Sequence, residues 1–408
     1  NYRTSSQIGR VIFSMKYCIH NTRLIIGIAD RVIENGSILF DQDKILKVSA
    51  HSITDADVFI DGTTFSVLPG LIDVHVHLGM DCSVDPFDTM ENTEDAFTSF
   101  IAYKQGLQFL RAGITTVRNL GTKNNVDIIY KKAVESGLVI GPRVYAAGQP
   151  LIMTGGHGQP MGTEVDGKDE VIKATRQRIK EGADLIKIMA TGGVLTKGNH
   201  PGAVHFNVDE LKCICQEAAK ASLTTAAHAI GLNGVKNAIK AGVNTIEHGY
   251  YLDKETVDTM RDLGIYLTPT LLAPTLLQKN SEHIPQHMID KIEEIEKEHR
   301  KSFRLALERG VKIIAGTDAG TPFNNPGQLV EELKIMLEEG MTTAQAIESA
   351  TYLGAKCLKV DSLIGSLEEQ KLADLIVVKG NPLEDISNLK NIQHVFKGGV
   401  RLYPDQIH

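Results

Sequence analysis

From Leu71 to Thr317 the chain repeats one unit: a short apolar run, a turn, then an amphipathic stretch. The runs are Leu71–His77, Thr115–Asn119, Arg143–Ala147, Leu185–Ala190, Thr224–Ala229, Thr245–His248, Tyr266–Thr270 and Ile313–Thr317. Each is too short for a helix and reads as a buried strand. Thr98–Arg111, Lys168–Glu181, Val208–Ala221, Gly231–Ala241 and Met288–Glu308 carry helical periodicity, and Gly113, Gly182, Gly242, Gly264 and Gly310 suit helix C-caps. Parallel strands joined by crossover helices build either an open doubly wound sheet or a closed (β/α)8 barrel. No glycine-rich dinucleotide fingerprint follows the first strand, so an α/β protein of the TIM-barrel type is expected.

The two ends have another texture. Arg23–Ile26, Gly36–Phe40, Ile45–Val48 and Val58–Asp61 are short β-runs, with Glu34-Asn35-Gly36 expected as a hairpin turn. The texture returns in Ala373–Val378, Val395–Lys397 and Val400–Tyr403, the last two joined by Gly398-Gly399. The expected organisation is a composite β-sandwich domain of residues 15–67 plus 362–408 around a metal-dependent barrel domain of residues 68–361. Residues 1–14 lack Met and add nothing to the pattern, so they read as a non-native or disordered leader.

Composition removes several function classes. With 42% hydrophobic and 23% charged residues the chain reads as a soluble globular protein. A net charge of −7 offers no basic face for nucleic acid. No apolar run reaches the roughly 18 residues that span a bilayer, so no membrane partner is expected. Five scattered cysteines without zinc-type spacing read as buried free thiols of a cytoplasmic protein.

In such barrels the chemistry sits at the C-terminal ends of the strands. There the sequence puts His75, His77, Lys187, His228 and His248, with Asp318 just after the last run. His75 and His77 alternate along a strand and so share a face. One such side chain in an apolar run is usually a satisfied core residue. Six converging on one rim need pairing or a metal. Four imidazoles can supply two neutral ligands to each of two divalent ions, and Asp318 can both ligate and exchange a proton. Burial lowers the pKa of Lys187, whose neutral amine can take up carbon dioxide as a metal-bridging carbamate. The bland alternative is a lysine that snorkels to the barrel mouth.

These residues, with Pro69-Gly70-Leu71-Ile72-Asp73-Val74-His75-Val76-His77, Gly365, Ala373-Asp374-Leu375-Ile376-Val377 and Asn381-Pro382-Leu383, resemble the signature of the amidohydrolase superfamily. Ile186-Lys187-Ile188-Met189-Ala190-Thr191-Gly192-Gly193-Val194 and Thr154-Gly155-Gly156-His157-Gly158 are similar to its zinc-dependent Xaa-Pro dipeptidase and carboxypeptidase-like branch, which is imidazolonepropionase-related and includes ochratoxin-hydrolysing amidases. The resemblance implies a TIM barrel with a composite β-sandwich, two zinc ions, N-carboxylated Lys187 between them, and a homo-oligomer. One stretch departs: Glu368-Glu369-Gln370-Lys371-Leu372 replaces the Gly-Lys that commonly precedes the Ala-Asp-Leu strand.

The expected activity is hydrolysis of an amide bond, of an Xaa-Pro dipeptide or an N-acyl amino acid, by a metal-bridging hydroxide with Asp318 as general base and then acid. His157, Tyr250, Tyr251 and Arg118 are candidates for binding the small-molecule or dipeptide substrate. Alternation from His248 favours Tyr250 over Tyr251 as the inward residue. For Arg118 an ion-partner role is equally open. His200–Asn207 and Leu271–Pro285 are long enough to act as lids, with His200, His205, His283 and His287 read as surface residues. Two rival readings remain. One is a mononuclear deaminase or imidazolonepropionase-like hydrolase of a cyclic C–N bond, although no acid follows His228 in Ala229-Ile230-Gly231. The other is an inactive interaction scaffold, which should have lost ligands, whereas all six are present.

Overall fold

The computed structural model describes residues 15–407 other than Gln42 and Asn199. The leader expected at residues 1–14 lies outside the described residues. The chain opens with strands β1 (Lys16–Ile25), β2 (Val32–Asp41), β3 (Lys44–Ser49), β4 (Val58–Asp61) and β5 (Phe65–Pro69). The middle carries β6 (Leu71–Val76), β7 (Ile114–Asn119), β8 (Arg143–Ala146), β9 (Leu151–Ile152), β10 (Thr163–Glu164), β11 (Leu185–Met189), β12 (Thr224–Ala229), β13 (Thr245–His248) and β14 (Tyr266–Thr268). It closes with β15 (Leu375–Lys379), β16 (Ile392–Lys397) and β17 (Val400–Tyr403).

Both ends share one hydrogen-bonded sheet. Its order is β17-β16-β15-β5-β1-β2-β3, with β4 paired to β1, so β15 joins the C-terminal strands to β5. Glu34-Asn35-Gly36 is not a hairpin turn. It lies within β2, and the reversal falls between β1 and β2 after Ile25. Two bulges explain the misleading signal. Asn21 at φ +54° shifts the register of β1 by one residue, and Asn35 at φ +52° shifts β2 to restore it. Asparagine tolerates that left-handed conformation better than most residues.

The middle is α/β with parallel sheets. One runs β10-β9-β11-β12-β13-β14 and the other β6-β7-β8. Every residue of β6, β7 and β11 is buried, as expected for strands covered on both faces. The helices bury one stripe each. Gly167–Glu181 turns in Val171, Ala174, Thr175 and Arg178, at helical spacing, and Val208–Lys220 starts on an Asn207–Glu210 capping box. Each Val, Leu or Ile side chain so buried contributes roughly 1.5–3 kcal/mol.

The expected last strand, Ile313–Thr317, forms no ladder, only bridges from Ile313 to Leu267 and from Ala319 to Val76. Its amides have other acceptors: Ala315 N–H donates to Ser349 O, and Thr317 N–H donates to the Asp73 carboxylate. Leu271–Pro285, expected as a lid, contains the helix Leu272–Lys279. All five cysteines are free, but Cys82, Cys213 and Cys215 are only partly buried. Among the described residues no helix is long and apolar enough to cross a membrane.

The departing stretch has a physical cost. Gln370 is exposed and sits at φ +71°, where glycine is unstrained and other residues lose about 1–2 kcal/mol. Gln370→Gly should therefore raise stability in urea unfolding by about 1 kcal/mol, less the entropy that glycine adds to the unfolded chain. A loss of stability would show that the Gln370 side chain holds this turn.

Candidate metal centre

Asp73 and His75 alternate along β6, and His77 follows directly after its end. Asp73 fixes the facing segment, taking the Thr317 N–H at 3.1 Å and the Thr317 hydroxyl at 2.6 Å. Asp318 N–H then donates to His75 O at 2.8 Å, which brings the Asp318 carboxylate over the histidines. Its Oδ1 lies 3.2 Å from the Nε2 atoms of both His75 and His77. Ligand atoms of His75, His248 and Asp318 all fall within 4.8 Å of one another. The His228 ring lies 4.6 Å from that of His248, centroid to centroid.

The ring nitrogens reveal what the cluster is built for. His75 Nδ1 donates to Glu247 at 2.9 Å, and His77 Nδ1 donates to Gly121 O at 3.0 Å. Thr270 donates its hydroxyl hydrogen to Pro269 O, so it accepts from His248 Nδ1 at 2.8 Å. In its neutral form each of these three rings presents Nε2 as a lone pair. His228 is the reverse: its Nε2 donates to Gly192 O at 3.3 Å, which frees Nδ1. Burial holds the His228 and His248 pKa values well below the ordinary range, which keeps both rings neutral.

Two neutral rings so placed would turn lone pairs at one carboxylate oxygen, an arrangement that a cation between them relieves. Among the described residues His75 Nε2 is buried without a hydrogen-bond partner. Imidazole nitrogens and a carboxylate are the donor set of zinc and similar ions. The residues fit a metal.

Beneath them lies a buried charge pair. Arg118 Nη2 reaches both Glu247 oxygens, at 3.0 and 3.1 Å, and the Thr245 hydroxyl donates to the same carboxylate. Burial works against the charge of Glu247, but Arg118 and His75 overcome it and hold its pKa far below the usual range. Lys187 is 1% exposed, and burial lowers its pKa to about 8 against the attraction of Glu247 and Asp318. It does not snorkel. His248, Thr270 and Asp318 adopt φ of +72°, +54° and +62°, a concentration of backbone strain around the metal-facing groups. In β13, Thr245 and Glu247 share the inward face, and the left-handed turn at His248 carries its ring inward as well.

His157 is buried, with its ring 4.6 Å from that of His228 and Nδ1 2.8 Å from Thr196 Oγ1. Burial beside His205 pushes its pKa down to about 3. Tyr250 lines a pocket with His228, His248 and Asp318, and its ring lies tilted against that of His299, 4.0 Å between centroids. Tyr251 instead packs partly buried in the apolar cluster of Ile284, Met288 and Ile292. Arg118 is 1% exposed, and its guanidinium is engaged with Glu247 and Val74 O. His200 and His283 are exposed, but His205 and His287 are half-buried. Sequence reasoning missed Glu247, Thr270 and Thr196 as supporting residues. Only Glu247 carried a signal, a carboxylate within an apolar strand.

The sequence pattern of the amidohydrolase family matches residues 66–402. Ochratoxinase from Aspergillus niger is 32% identical over 365 residues, covering 82% of this chain and 75% of that protein. Among solved structures, an Xaa-Pro dipeptidase with bound methionine in its active site superposes with a TM-score of 0.88 at 37% identity, covering 95% and 99% of the two chains. A. niger ochratoxinase superposes with a TM-score of 0.86 at 29% identity, over 95% and 96%.

Because Glu247 fixes the His75 ring, Glu247→Gln should weaken zinc binding by roughly 10- to 100-fold in chelator competition. Unchanged affinity would remove Glu247 from the support of the centre.

Proposed function

Since the chain belongs to the amidohydrolase family and is a hydrolase of carbon–nitrogen bonds, we propose that it cleaves the amide bond of Xaa-Pro dipeptides or N-acyl amino acids. One observation carries the reading: four imidazoles, each pinned through one ring nitrogen, turn the other nitrogen toward the surroundings of Asp318. His75, His77 and Asp318 would hold one divalent ion, and His228 and His248 a second, with Lys187 between them. Zinc suits these donors. The neutral Lys187 amine would add to carbon dioxide, forming an N–C bond and releasing one proton.

When bound, the ions supply hydroxide at neutral pH and polarise the scissile carbonyl. The protein's own groups do the rest. Asp318 accepts the nucleophile's proton and returns it to the leaving nitrogen as the C–N bond breaks. His157 hydrogen-bonds the substrate carbonyl or carboxylate. Tyr250 stays a neutral donor because burial raises its pKa, and Tyr251 backs the wall behind it. Val194, Leu195, Ile230, Ala273, Pro274 and Leu277 make the remaining pocket lining apolar apart from Thr321, which favours substrates with an uncharged, apolar substituent. The likeness to an Xaa-Pro dipeptidase and to ochratoxinase supports the same bond class.

The reading includes the architecture. We take the parallel sheets as a closed (β/α)8 barrel over residues 68–361. Bonds from residues 312–319 to both β14 and β6 support closure, as does Asp184 N–H donating to Ala146 O. Residues 15–67 and 362–408 form the composite sheet domain.

The zinc-loaded protein, screened against N-acyl amino acids and a dipeptide library, should turn over at least one set. Asp318→Asn should lower kcat by roughly 10²- to 10⁴-fold. Turnover of a cyclic imidazolone alone would overturn the reading. Lys187 gives a separate, pH-dependent test. Its pKa is lowered from 10.5 to about 8, so its reactive neutral form increases as pH rises through 8. Reloading metal-stripped protein with zinc should therefore respond to bicarbonate more at pH 8 than at pH 6, and Lys187→Met should abolish the response. Indifference to bicarbonate in the unaltered protein would exclude the carbamate.

A further inference from the structure

The segment Gly193–Thr196 runs beside the pocket and meets the long helix Gln286–Glu308 at a contact that the proposed reaction leaves unused. Lys291 Nζ donates to Thr196 O at 2.8 Å, Val194 O at 3.1 Å and Gly193 O at 3.3 Å. An ammonium has three hydrogens, so this set uses them all. Among the described residues no carboxylate pairs with Lys291.

The three carbonyls belong to a strap with two duties. Val194 and Leu195 line the pocket beside His228 and Asp318. Thr196 Oγ1 accepts the Gly158 N–H at 3.2 Å and sits 2.8 Å from His157 Nδ1. Its own hydrogen has His157 Nδ1 as the acceptor at hand. Given to Nδ1, that hydrogen makes His157 the Nε2–H tautomer, a donor. A Cβ on Gly193 would collide with His157 Nε2, so the strap also sets how closely the ring is covered.

We propose that Lys291 is a positioning residue: by clasping the Gly193–Thr196 carbonyls it keeps the Thr196 hydroxyl on His157 and so holds His157 as an Nε2–H donor to the substrate. The proposal rests on the reading that His157 contacts the substrate of an amide hydrolase. It adds that the helix Gln286–Glu308, whose Met288 and Ile292 pack with Val194, controls that contact from outside the cluster.

The test uses the full zinc-loaded chain labelled with ¹⁵N-histidine, in which long-range ¹H–¹⁵N spectra report each ring's tautomer. His157 signals are identified by their loss in His157→Gln. The expected wild-type state is Nε2–H. In Thr196→Val, a near-isosteric change, and in Lys291→Met, the Nε2–H form should give way to a mixture. Both should lose on the order of 10- to 100-fold in kcat/KM at unchanged zinc content, since a small misplacement of a substrate contact costs that much. In the His157→Gln background, Lys291→Met should cost nothing further. Lys291→Arg should recover part of the loss. An unchanged tautomer in Lys291→Met, or a loss that simply adds to that of His157→Gln, overturns the proposal. If the wild type cleaves no amide while the tautomer still follows Lys291, the functional reading falls and the clasp stands.

Discussion

The metal-facing cluster depends on one buried carboxylate. Glu247 is 0% exposed, and a charge so placed survives only if paired and hydrogen-bonded. Arg118 supplies the pairing, and Thr245 and His75 supply the bonds. The outcome reaches upward: with Nδ1 committed to Glu247, His75 can offer only Nε2 to the site. Arg118 also donates to Val74 O at 2.5 Å, so the same guanidinium ties β7 to β6 and to β13. The polar layer beneath the histidines therefore orders the ligands and the strands together.

The parts of this structure legible in the sequence were those with a period or a cost. The strands of the middle segment announced themselves as apolar runs between amphipathic helices, and β6, β7, β11, β12 and β13 fall where those runs lie. The six candidate ligands stood out because imidazole, ammonium and carboxylate groups are expensive in such runs. What the sequence hid was local backbone conformation. Asn35-Gly36 carries a hairpin signature, yet its left-handed residue serves a bulge. The inward turn of His248 beside an inward Glu247 breaks the alternation used to read that strand. Thr270 and Thr196 were invisible, since a threonine that fixes a tautomer looks like any other threonine.

The site divides into a rigid floor and a tethered roof. The floor is strand backbone with charges satisfied from below. The roof is a strap and two helices, Leu272–Lys279 and Gln286–Glu308, joined through an apolar cluster that includes Val194, Tyr250, Leu277 and Met288. Glu332 links the two levels from the side, taking the Leu271 and Leu272 N–H groups just beyond the Thr270 that orients His248. Such a division suits a hydrolase whose ion-facing geometry is constant and whose substrate contacts come from loops.

The central claim is that converging neutral lone pairs around Asp318 exist to hold a pair of cations. Equilibrium dialysis of the metal-stripped chain against zinc, read by elemental analysis, tests it most directly. The account predicts two ions retained per chain, falling to one or fewer in His228→Ala. A single ion at saturation in the unaltered chain, or retention that ignores His228, would contradict it.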